Sequence, residues 1–290
     1  MAKANTKPSA GTSQIIEFDP DAIRKTELKV AQETDEQIMT RMAEHFQILE
    51  EMTKAVRSGD IRAMIVSGPP GVGKSFGVEK VLEVGGLMDT LADRKQRYEV
   101  VKGSLSAIGL YAKLHEFSEK GNVLVFDDAD NIFYDTTCLN LLKAALDTSQ
   151  RRFISWNTDS RLLRSEGIPD RFEFKAAVIF ISNLKFAHIR SKALKDHLTA
   201  LESRCHYIDL EIDTTREKLL RIKQVINDTD MLGKYDFPAS VQTELVKFID
   251  TNKDKFREIS LRTVLKLSDL RKTFPKMWQM MARTTLMKKG

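Results

Sequence analysis

GPPGVGKS, residues 68–75, is the stretch that decides the fold of this 290-residue chain. It fits the pattern G-x-x-x-x-G-K-[ST], and a short apolar strand is predicted before it and a helix after it. In that setting the glycines let the backbone curl, so that its N–H groups point into one concavity that suits phosphate oxygens. Lys74 is placed to contact the β- and γ-phosphates, and the Ser75 hydroxyl is placed to bind Mg²⁺. The stretch therefore predicts a nucleotide-binding loop.

Outward from this loop, short apolar strands alternate with helices. Strands are predicted at residues 63–66, 98–101, 123–126, 177–181 and 207–210, and helices at residues 73–84, 106–120 and 138–147. An earlier helix is predicted between a capping box at Thr34–Gln37 and a stop at Gly59. Because the strands are apolar on both faces, we predict a parallel sheet sandwiched by helices, which is an α/β fold of the P-loop type.

The domain organisation follows from changes in composition. Residues 1–18 are predicted to be a flexible tail and residues 19–212 the α/β domain. Residues 151–175 interrupt the alternation and are predicted to be an insertion standing off the sheet. From residue 213 strands stop, and helices at 214–226, 238–249, 261–272 and 276–287 predict a small helical domain over 213–290.

Charge and cysteine content exclude several classes of protein. The chain has 46 Lys and Arg against 41 Asp and Glu, which gives a net charge of +5. Residues 270–290 carry six bases and no acid, so the rest of the chain has a charge near −1. Two cysteines, Cys138 and Cys205, are too few for a disulfide scaffold. No apolar run suits a membrane span and no secretory signal is recognised, so we expect a cytoplasmic protein, in the host if it is phage-encoded, with no membrane partner.

Two acids follow the third predicted strand directly. Asp127 is expected to hold Mg²⁺ through a water molecule, and Asp128 is placed to orient or deprotonate an attacking water. The alternative is that both are solvated loop acids. The position of an acid pair after four apolar strand residues favours the catalytic interpretation.

With these motifs the chain resembles the AAA+ ATPase superfamily over residues 35–290. The resemblance implies a bound ATP with Mg²⁺ and an ATP-binding set of Gly68, Pro69, Pro70, Gly71, Val72, Gly73, Lys74, Ser75, Phe76 and Arg262. In the family the acid pair is most often Asp-Glu, whereas here it is Asp127-Asp128. The shorter second side chain sets its carboxylate back by about 1.5 Å, so slow hydrolysis or another water geometry is expected.

Three further residues take roles from this resemblance. Asn183, after the fourth strand, matches the family's sensor 1, although a turn-forming Asn is the alternative. Arg204 lies in Ser203-Arg204-Cys205, which looks like the Ser-Arg-Cys motif of clamp-loader subunits, and would reach the ATP site of a neighbouring subunit. Arg190 and Arg171 are alternatives for that role. Arg262, near a helix start capped by Ser260, matches sensor 2, which contacts the γ-phosphate in cis, although an exposed helical arginine without that role is the alternative.

An arginine acting in trans requires an oligomer, so a ring or helical homo-oligomer is expected. The molecule on which the ATPase acts is called its load here. Three segments are candidate contacts for the load: the loop at 102–111, the insertion with its five arginines and Trp156, and the basic C-terminus. Local packing or a solvated basic face is the alternative for each. DNA, in replication or other DNA metabolism, is the favoured partner. The alternatives are a protein-remodelling ATPase or chaperone with a protein partner, and a slowly hydrolysing ATP switch that acts as a scaffold.

Overall fold

The computed structural model describes residues 27–28, 30–91, 97–186, 189 and 192–289. The predicted tail at residues 1–18 lies outside this part of the chain. Helix α1 (Asp35–Ser58) begins at the predicted capping box, in which the Thr34 side chain accepts a hydrogen bond from the Gln37 backbone N–H. It ends at Gly59, whose φ of +87° is a left-handed value that glycine adopts without steric cost.

Five parallel strands form the central sheet: β1 (Ala63–Ser67), β2 (Tyr98–Lys102), β3 (Val123–Asp127), β6 (Ala177–Ser182) and β7 (His206–Asp209). Their order across the sheet is β2-β3-β6-β1-β7. Strand β6 therefore lies between β1 and β3, and the carboxyl ends of these three strands are neighbours. The parallel sheet confirms the predicted α/β fold.

Both faces of the sheet are covered by helices. Because side chains alternate along a strand, Ile65 of β1 packs on one side of the sheet and Met64 on the other. Helix α1 and α2 (Lys74–Leu91) cover the second face. The other face is covered by α3 (Ala107–Glu116), α4 (Thr136–Ala145) and α6 (Lys192–Glu202). All five residues of β1 are buried, as expected for a strand covered on both sides.

Helix α2 continues seven residues past its predicted end at residue 84. Gly85 and Gly86 stand at that point in the sequence, and glycine weakens a helix interior. In the structure the Arg57 guanidinium crosses directly over Gly85 and donates a hydrogen bond to its carbonyl oxygen. A Cβ at Gly85 would lie 1.8 Å from Arg57 Cζ, so a larger residue at position 85 would displace the Arg57 side chain from this place.

Residues 151–175 contain the antiparallel hairpin of β4 (Phe153–Ser155) and β5 (Arg171–Glu173), with the short helix α5 (Arg161–Ser165) between the two strands. The Trp156 ring packs against Tyr111 with centroids 5.5 Å apart. Of the two roles that the sequence leaves open for Trp156, core packing and a contact with the load, this contact supports core packing. The exposed aromatic ring is instead Phe153, which lies between Arg151 and Arg171.

Arg152 is also unavailable to a phosphate. It is buried, and its guanidinium donates to the carbonyl oxygens of Ala145 at 2.7 Å and Ala176 at 2.9 Å. Burial lowers the pKa of Arg152 to about 10. Its predicted contact with nucleic acid is replaced by a structural role, in which it ties the hairpin to α4 and β6.

Arg152→Ala is expected to lower the free energy of unfolding by about 3 kcal/mol, because two buried carbonyls lose a charged donor. Urea denaturation of the full chain measures this change. The control is Arg161→Ala, an exposed arginine on α5, which is expected to leave the midpoint of unfolding unchanged. Equal midpoints for the two variants would contradict the structural role of Arg152.

The C-terminal part of the chain is helical. It consists of α7 (Thr215–Asp228), α8 (Ala239–Thr251), α9 (Leu261–Thr273) and α10 (Trp278–Leu286), packed around a core of their own. A break at residues 274–277 separates α9 from α10, so Lys272, Lys276 and Arg283 do not form one continuous helical face. The boundary at residue 213 stays a prediction. Within the described part of the chain, no helix is both long and apolar enough to cross a bilayer.

Candidate nucleotide site

The loop at residues 68–75 connects β1 to α2 at the carboxyl edge of the sheet. Gly71 has φ +71° and Gly73 has φ +105°, which are left-handed values that a residue with a Cβ rarely adopts. The helix begins at Lys74, so the loop ends on the N-terminus of α2. Free N–H groups at a helix N-terminus and in a curled loop form a site for an anion.

The Lys74 amine is the buried cation of this loop. Only 5% of the residue is exposed, and Nζ donates to the oxygens of Gly68 at 2.7 Å, Pro69 at 2.8 Å and Asn183 Oδ1 at 2.8 Å. Burial lowers the pKa of Lys74 to about 8, against the opposing charges of Asp128 and Asp127. This ammonium lies between the loop at residues 68–75 and the carboxylates of Asp127 and Asp128. It is therefore suited to contact an anion bound in the loop.

Ser75 and Asp127 lie together as the sequence predicts. Ser75 Oγ donates to Asp127 Oδ1 at 3.0 Å, and Asp127 is buried at the end of β3. Lys102, at the end of β2, pairs with Glu79 at 2.6 Å and approaches Asp127 Oδ2 at 3.4 Å. Lys102 therefore pairs with acids at the nucleotide site, whereas the sequence predicts that the loop beginning at this residue contacts the load.

Asn183 connects the loop to the second acid. Its Nδ2 donates to Asp128 Oδ1 at 2.7 Å, while its Oδ1 accepts from Lys74. Asp128 has φ +54°, in the left-handed region, where Asp and Asn are several-fold enriched among non-glycine residues. This backbone conformation is one that an Asp side chain tolerates at position 128.

Behind these residues lies a second set of hydrogen bonds, which the sequence does not predict. Ser182 Oγ donates to Asp130 Oδ1 at 2.7 Å, and Ser67 Oγ donates to the Leu184 carbonyl oxygen at 2.7 Å. Burial raises the pKa of Asp130 above its usual range, while the bond from Ser182 opposes that shift. These contacts fix the end of β6, from which Asn183 projects. The only signal in the sequence is that Ser182 adjoins Asn183 and that Asp130 lies two positions after Asp128.

The start of α9 lies directly on the nucleotide loop. Ser260 caps this helix, and the Leu261 N–H donates to the Gly71 carbonyl oxygen at 2.8 Å. A Cβ at Gly71 would lie 2.7 Å from Ser260 Cβ, so the contact leaves no room for a side chain. Arg262 is exposed, makes no hydrogen bond or ion pair within the described residues, and is near enough that its charge lowers the pKa of Lys74.

Arg221 of α7 is a second helical-domain contact that sequence reasoning missed. Its Nε donates to the Val72 carbonyl oxygen at 3.4 Å, and its guanidinium lies over the Phe46 ring at 3.5 Å. Burial lowers the pKa of Arg221 to about 10. In a trans peptide the C=O and N–H point in opposite directions. Holding the carbonyls of Gly71 and Val72 outward therefore turns the next two N–H groups toward the other side of the loop.

Arg204 lies at the opposite edge of the sheet. It occupies the turn before β7, whose first residue, His206, pairs with Met64 at the start of β1. Its Nη1 donates to the Ala200 carbonyl oxygen. The length of β1 separates it from the loop by roughly 13 Å of strand. The other two candidates for the trans-acting arginine lie elsewhere. Arg171 stacks on Phe153 at 4.3 Å, and Arg190 lies outside the described residues.

Phe76, predicted to line the nucleotide, is 69% exposed.

No protein-family profile matches the chain. Over 264 residues the chain is 35% identical to an uncharacterized 36.7 kDa protein encoded in the nrdC–mobD intergenic region of Enterobacteria phage T4. The match covers 90% of this chain and 78% of the phage protein. The chain belongs to the same family as this phage protein.

Three solved structures are similar in outline. Domain III of the Thermotoga maritima replication initiation protein DnaA is 14% identical, with a TM-score of 0.46 over 84% of this chain and 91% of that chain. The Drosophila ORC bound to DNA is 11% identical, with a TM-score of 0.42 over 97% and 70%. A HORMA:CdnC:Trip13 complex of E. coli MS115-1 is 13% identical, with a TM-score of 0.33 over 94% and 95%. Similarity at this level is too low to assign a function.

Proposed function

We propose that the chain is an AAA+ ATPase that binds Mg-ATP at residues 68–75 and hydrolyses it with help from an arginine of a neighbouring copy. The observation that carries the proposal is one connected set of polar contacts. Ser75 bonds to Asp127, and Asn183 joins Lys74 to Asp128, all within 3.0 Å. Strand β6 makes this possible because it sets Asn183 between the loop of β1 and the acids of β3.

The loop supplies the phosphate contacts. Its curled backbone and the N-terminus of α2 offer N–H donors, and the Lys74 amine can exchange its bonds to Gly68 and Pro69 for bonds to phosphate oxygens. The Ser75 hydroxyl and the Asp127 carboxylate are hard oxygen ligands on one side of the loop, so these residues fit Mg²⁺. Mg²⁺ held there would neutralise the charge of the β- and γ-phosphates.

Asp128 and Asn183 are placed to act on the attacking water. Asp128 is exposed at the end of β3, and its carboxylate is oriented by the Asn183 amide at 2.7 Å. A carboxylate held in this way can accept a hydrogen bond from water and take its proton as the phosphorus–oxygen bond forms. Because its side chain is one methylene shorter than Glu, we expect slow turnover.

The helical domain is linked to the state of the loop. Leu261 and Arg221 bond to the backbone carbonyls of the loop, and Arg262 is exposed beside Lys74 without a described partner. We propose that Arg262 contacts the γ-phosphate from the same subunit. Loss of that phosphate would then change the contacts between α9 and the loop, and with them the domain angle.

Arg204 is proposed to act in trans. Since it lies at the edge of the sheet away from its own loop, it can complete only the site of another copy. Such a contact is head-to-tail, and it closes into a ring or continues as a helical filament. An arginine supplied in this way neutralises the charge that develops in the transition state.

The load is proposed to be DNA, in replication or other DNA metabolism. AAA+ proteins that thread a polypeptide commonly carry an aromatic-apolar-Gly triplet in the loop that corresponds to 102–111, whereas this chain has Ala107-Ile108-Gly109. Tyr111 is buried in α3, and its hydroxyl donates to the Pro169 carbonyl oxygen at 2.7 Å, so it is not available for that role. Leu105 is held by Asn131 through two hydrogen bonds, which makes this loop part of the fold.

Asp128→Asn is expected to keep ATP bound while lowering turnover by about 100-fold or more, because the amide cannot take a proton from water. Phosphate release and ATP binding are measured on the same full-length preparation. Asp159→Asn, in the exposed segment before α5, is the control and leaves both quantities unchanged. An unaltered rate of phosphate release in Asp128→Asn would remove Asp128 from its assigned role.

A further inference from the structure

The basic C-terminus is part of a larger surface than the sequence indicates. Phe256 and Met287 form an antiparallel bridge, and the Lys288 N–H donates to the Lys255 carbonyl oxygen at 2.8 Å. The last residues of the chain therefore run beside the segment between α8 and α9. Lys288 and Lys289 come to lie next to bases some 30 residues earlier, at Lys253, Lys255 and Arg257.

A cleft of about 340 Å³ separates this paired segment from the nucleotide loop. Pro69 and Pro70 form one wall. We call it the basic cleft, and its cations are Lys218, Lys253, Arg257 and Lys288. Two acids, Asp254 and Glu258, also line it.

The cations of the basic cleft are poorly neutralised. Lys288 Nζ bonds to the Asp254 backbone carbonyl and Arg257 Nη1 to that of Thr285, both at 3.4 Å, and neither bond involves a carboxylate. Lys218 has no ion pair with any described residue, and Lys253 only approaches Asp250 at 3.9 Å. Their charge is therefore left to attract an external anion.

The charge of the whole lobe points the same way. Residues 253–289 contain three acids, Asp254, Glu258 and Asp269. They contain eleven bases: Lys253, Lys255, Arg257, Arg262, Lys266, Arg271, Lys272, Lys276, Arg283, Lys288 and Lys289. This lobe has a net charge of +8, which exceeds the +5 of the entire chain, so the remainder is acidic.

We propose that the phosphate backbone of a nucleic acid binds along the basic cleft. A protein partner would need an exposed apolar anchor there, but the aromatic ring of the cleft, Phe256, is buried. The exposed apolar residues of this lobe, Phe274, Met277 and Met280, lie instead at the junction of α9 and α10. Four cations against two acids, without an exposed aromatic ring, suit the phosphates of a backbone, which are bound without regard to sequence. This inference names the load of the proposed ATPase and rests on that function for its role, although the binding itself needs no nucleotide.

The test is fluorescence anisotropy of labelled single-stranded and duplex DNA with the full chain, without nucleotide, over a series of salt concentrations. The triple variant Lys253→Gln, Arg257→Gln, Lys288→Gln is expected to bind at least about tenfold more weakly than the unmodified chain. The slope of log affinity against log salt should become shallower by about 2 to 3 on duplex DNA, as expected for three lost phosphate contacts. The form of DNA that the unmodified chain binds more tightly at the same salt concentration is the preferred ligand, since duplex gives a steeper slope per phosphate contact than a single strand does.

The matched control removes the same charge from the hairpin. Arg161→Gln, Arg164→Gln, Arg171→Gln is expected to leave affinity and salt slope unchanged. Equal losses in the two triple variants, or no salt-sensitive DNA binding by the unmodified chain, would overturn the proposal. If the cleft variant does not fold by circular dichroism, Lys218→Gln and Lys218→Arg are compared instead, and only the first should lose affinity.

The basic cleft could instead be occupied by a second copy of the chain. Sedimentation of the protein without DNA tests this alternative. Self-association that the cleft variant abolishes, with DNA affinity unchanged, would overturn the proposal. ATP binding by the same variant is expected to be normal, since no residue of the loop is altered. Failure of ATP binding in the unmodified chain would refute the ATPase and leave the DNA result standing, so the two failures are distinguishable.

Discussion

Lys74→Ala is expected to abolish Mg-ATP binding, with a loss of affinity of about 100-fold or more and no measurable turnover. The amine is the buried cation at the centre of the loop and bonds at once to Gly68, Pro69 and Asn183. Without it the phosphates would face the carboxylates of Asp127 and Asp128 with no cation from the loop between them.

Calorimetric titration of ATP with Mg²⁺ into the full chain measures this effect. Lys80→Ala is the control, because Lys80 is exposed on the same helix and is not in the loop. Thermal unfolding of both variants shows whether the chain still folds. A Lys74→Ala protein that is folded and binds ATP as tightly as the control would refute the assignment of the loop.

Arg204→Ala is expected to leave ATP binding near normal and to lower turnover by about 1000-fold. The reason is its position: it is far from its own loop and can act only on the site of a neighbouring copy. For the same reason, the rate per chain should rise with protein concentration in the unmodified protein. In the variant it should stay low at every concentration.

Arg171→Ala is the comparison for this prediction, since Arg171 is the described alternative and lies against Phe153 on the hairpin. It should leave turnover unchanged. If Arg171→Ala and not Arg204→Ala lowers turnover, the trans-acting arginine belongs to the hairpin.

The strands and the acids of the candidate site could be predicted because their signals are local. The three strands β1, β3 and β6 contain short apolar runs; Asp127 and Asp128 follow one such run directly, and Asn183 follows another after Ser182. Parallel strands bring their carboxyl ends to one edge, so the sequence alone indicates that these side chains meet near the loop. Their roles in binding and catalysis stay predictions.

The rest depends on contacts between distant parts of the chain. Arg221 reaches Val72 across 149 positions, and nothing around Arg221 in the sequence distinguishes it from a surface arginine. Arg152 is one of the five arginines that the sequence offers as contacts for the load. Its partners are instead two carbonyl oxygens, which belong to Ala145 and Ala176. The helix predicted to end at residue 84 runs to Leu91, and Arg57 of α1 donates a hydrogen bond to the Gly85 carbonyl oxygen within it.

The basic C-terminus shows the same limit. Its six bases are visible in the sequence, but the position of Lys288 and Lys289 beside Lys253, Lys255 and Arg257 follows only from the pairing of residues 286–288 with residues 255–257. This contact between segments 31 positions apart brings Lys288 into a cleft beside the nucleotide loop.

Mixing the two inactive variants tests the central claim most directly. Lys74→Ala cannot bind ATP but offers Arg204, whereas Arg204→Ala binds ATP but offers no arginine. If ATP is hydrolysed between copies, an equimolar mixture should regain about one quarter of the unmodified ATPase rate, because one junction in four pairs an intact loop with an intact arginine. A mixture no more active than either variant alone would contradict hydrolysis at a subunit interface.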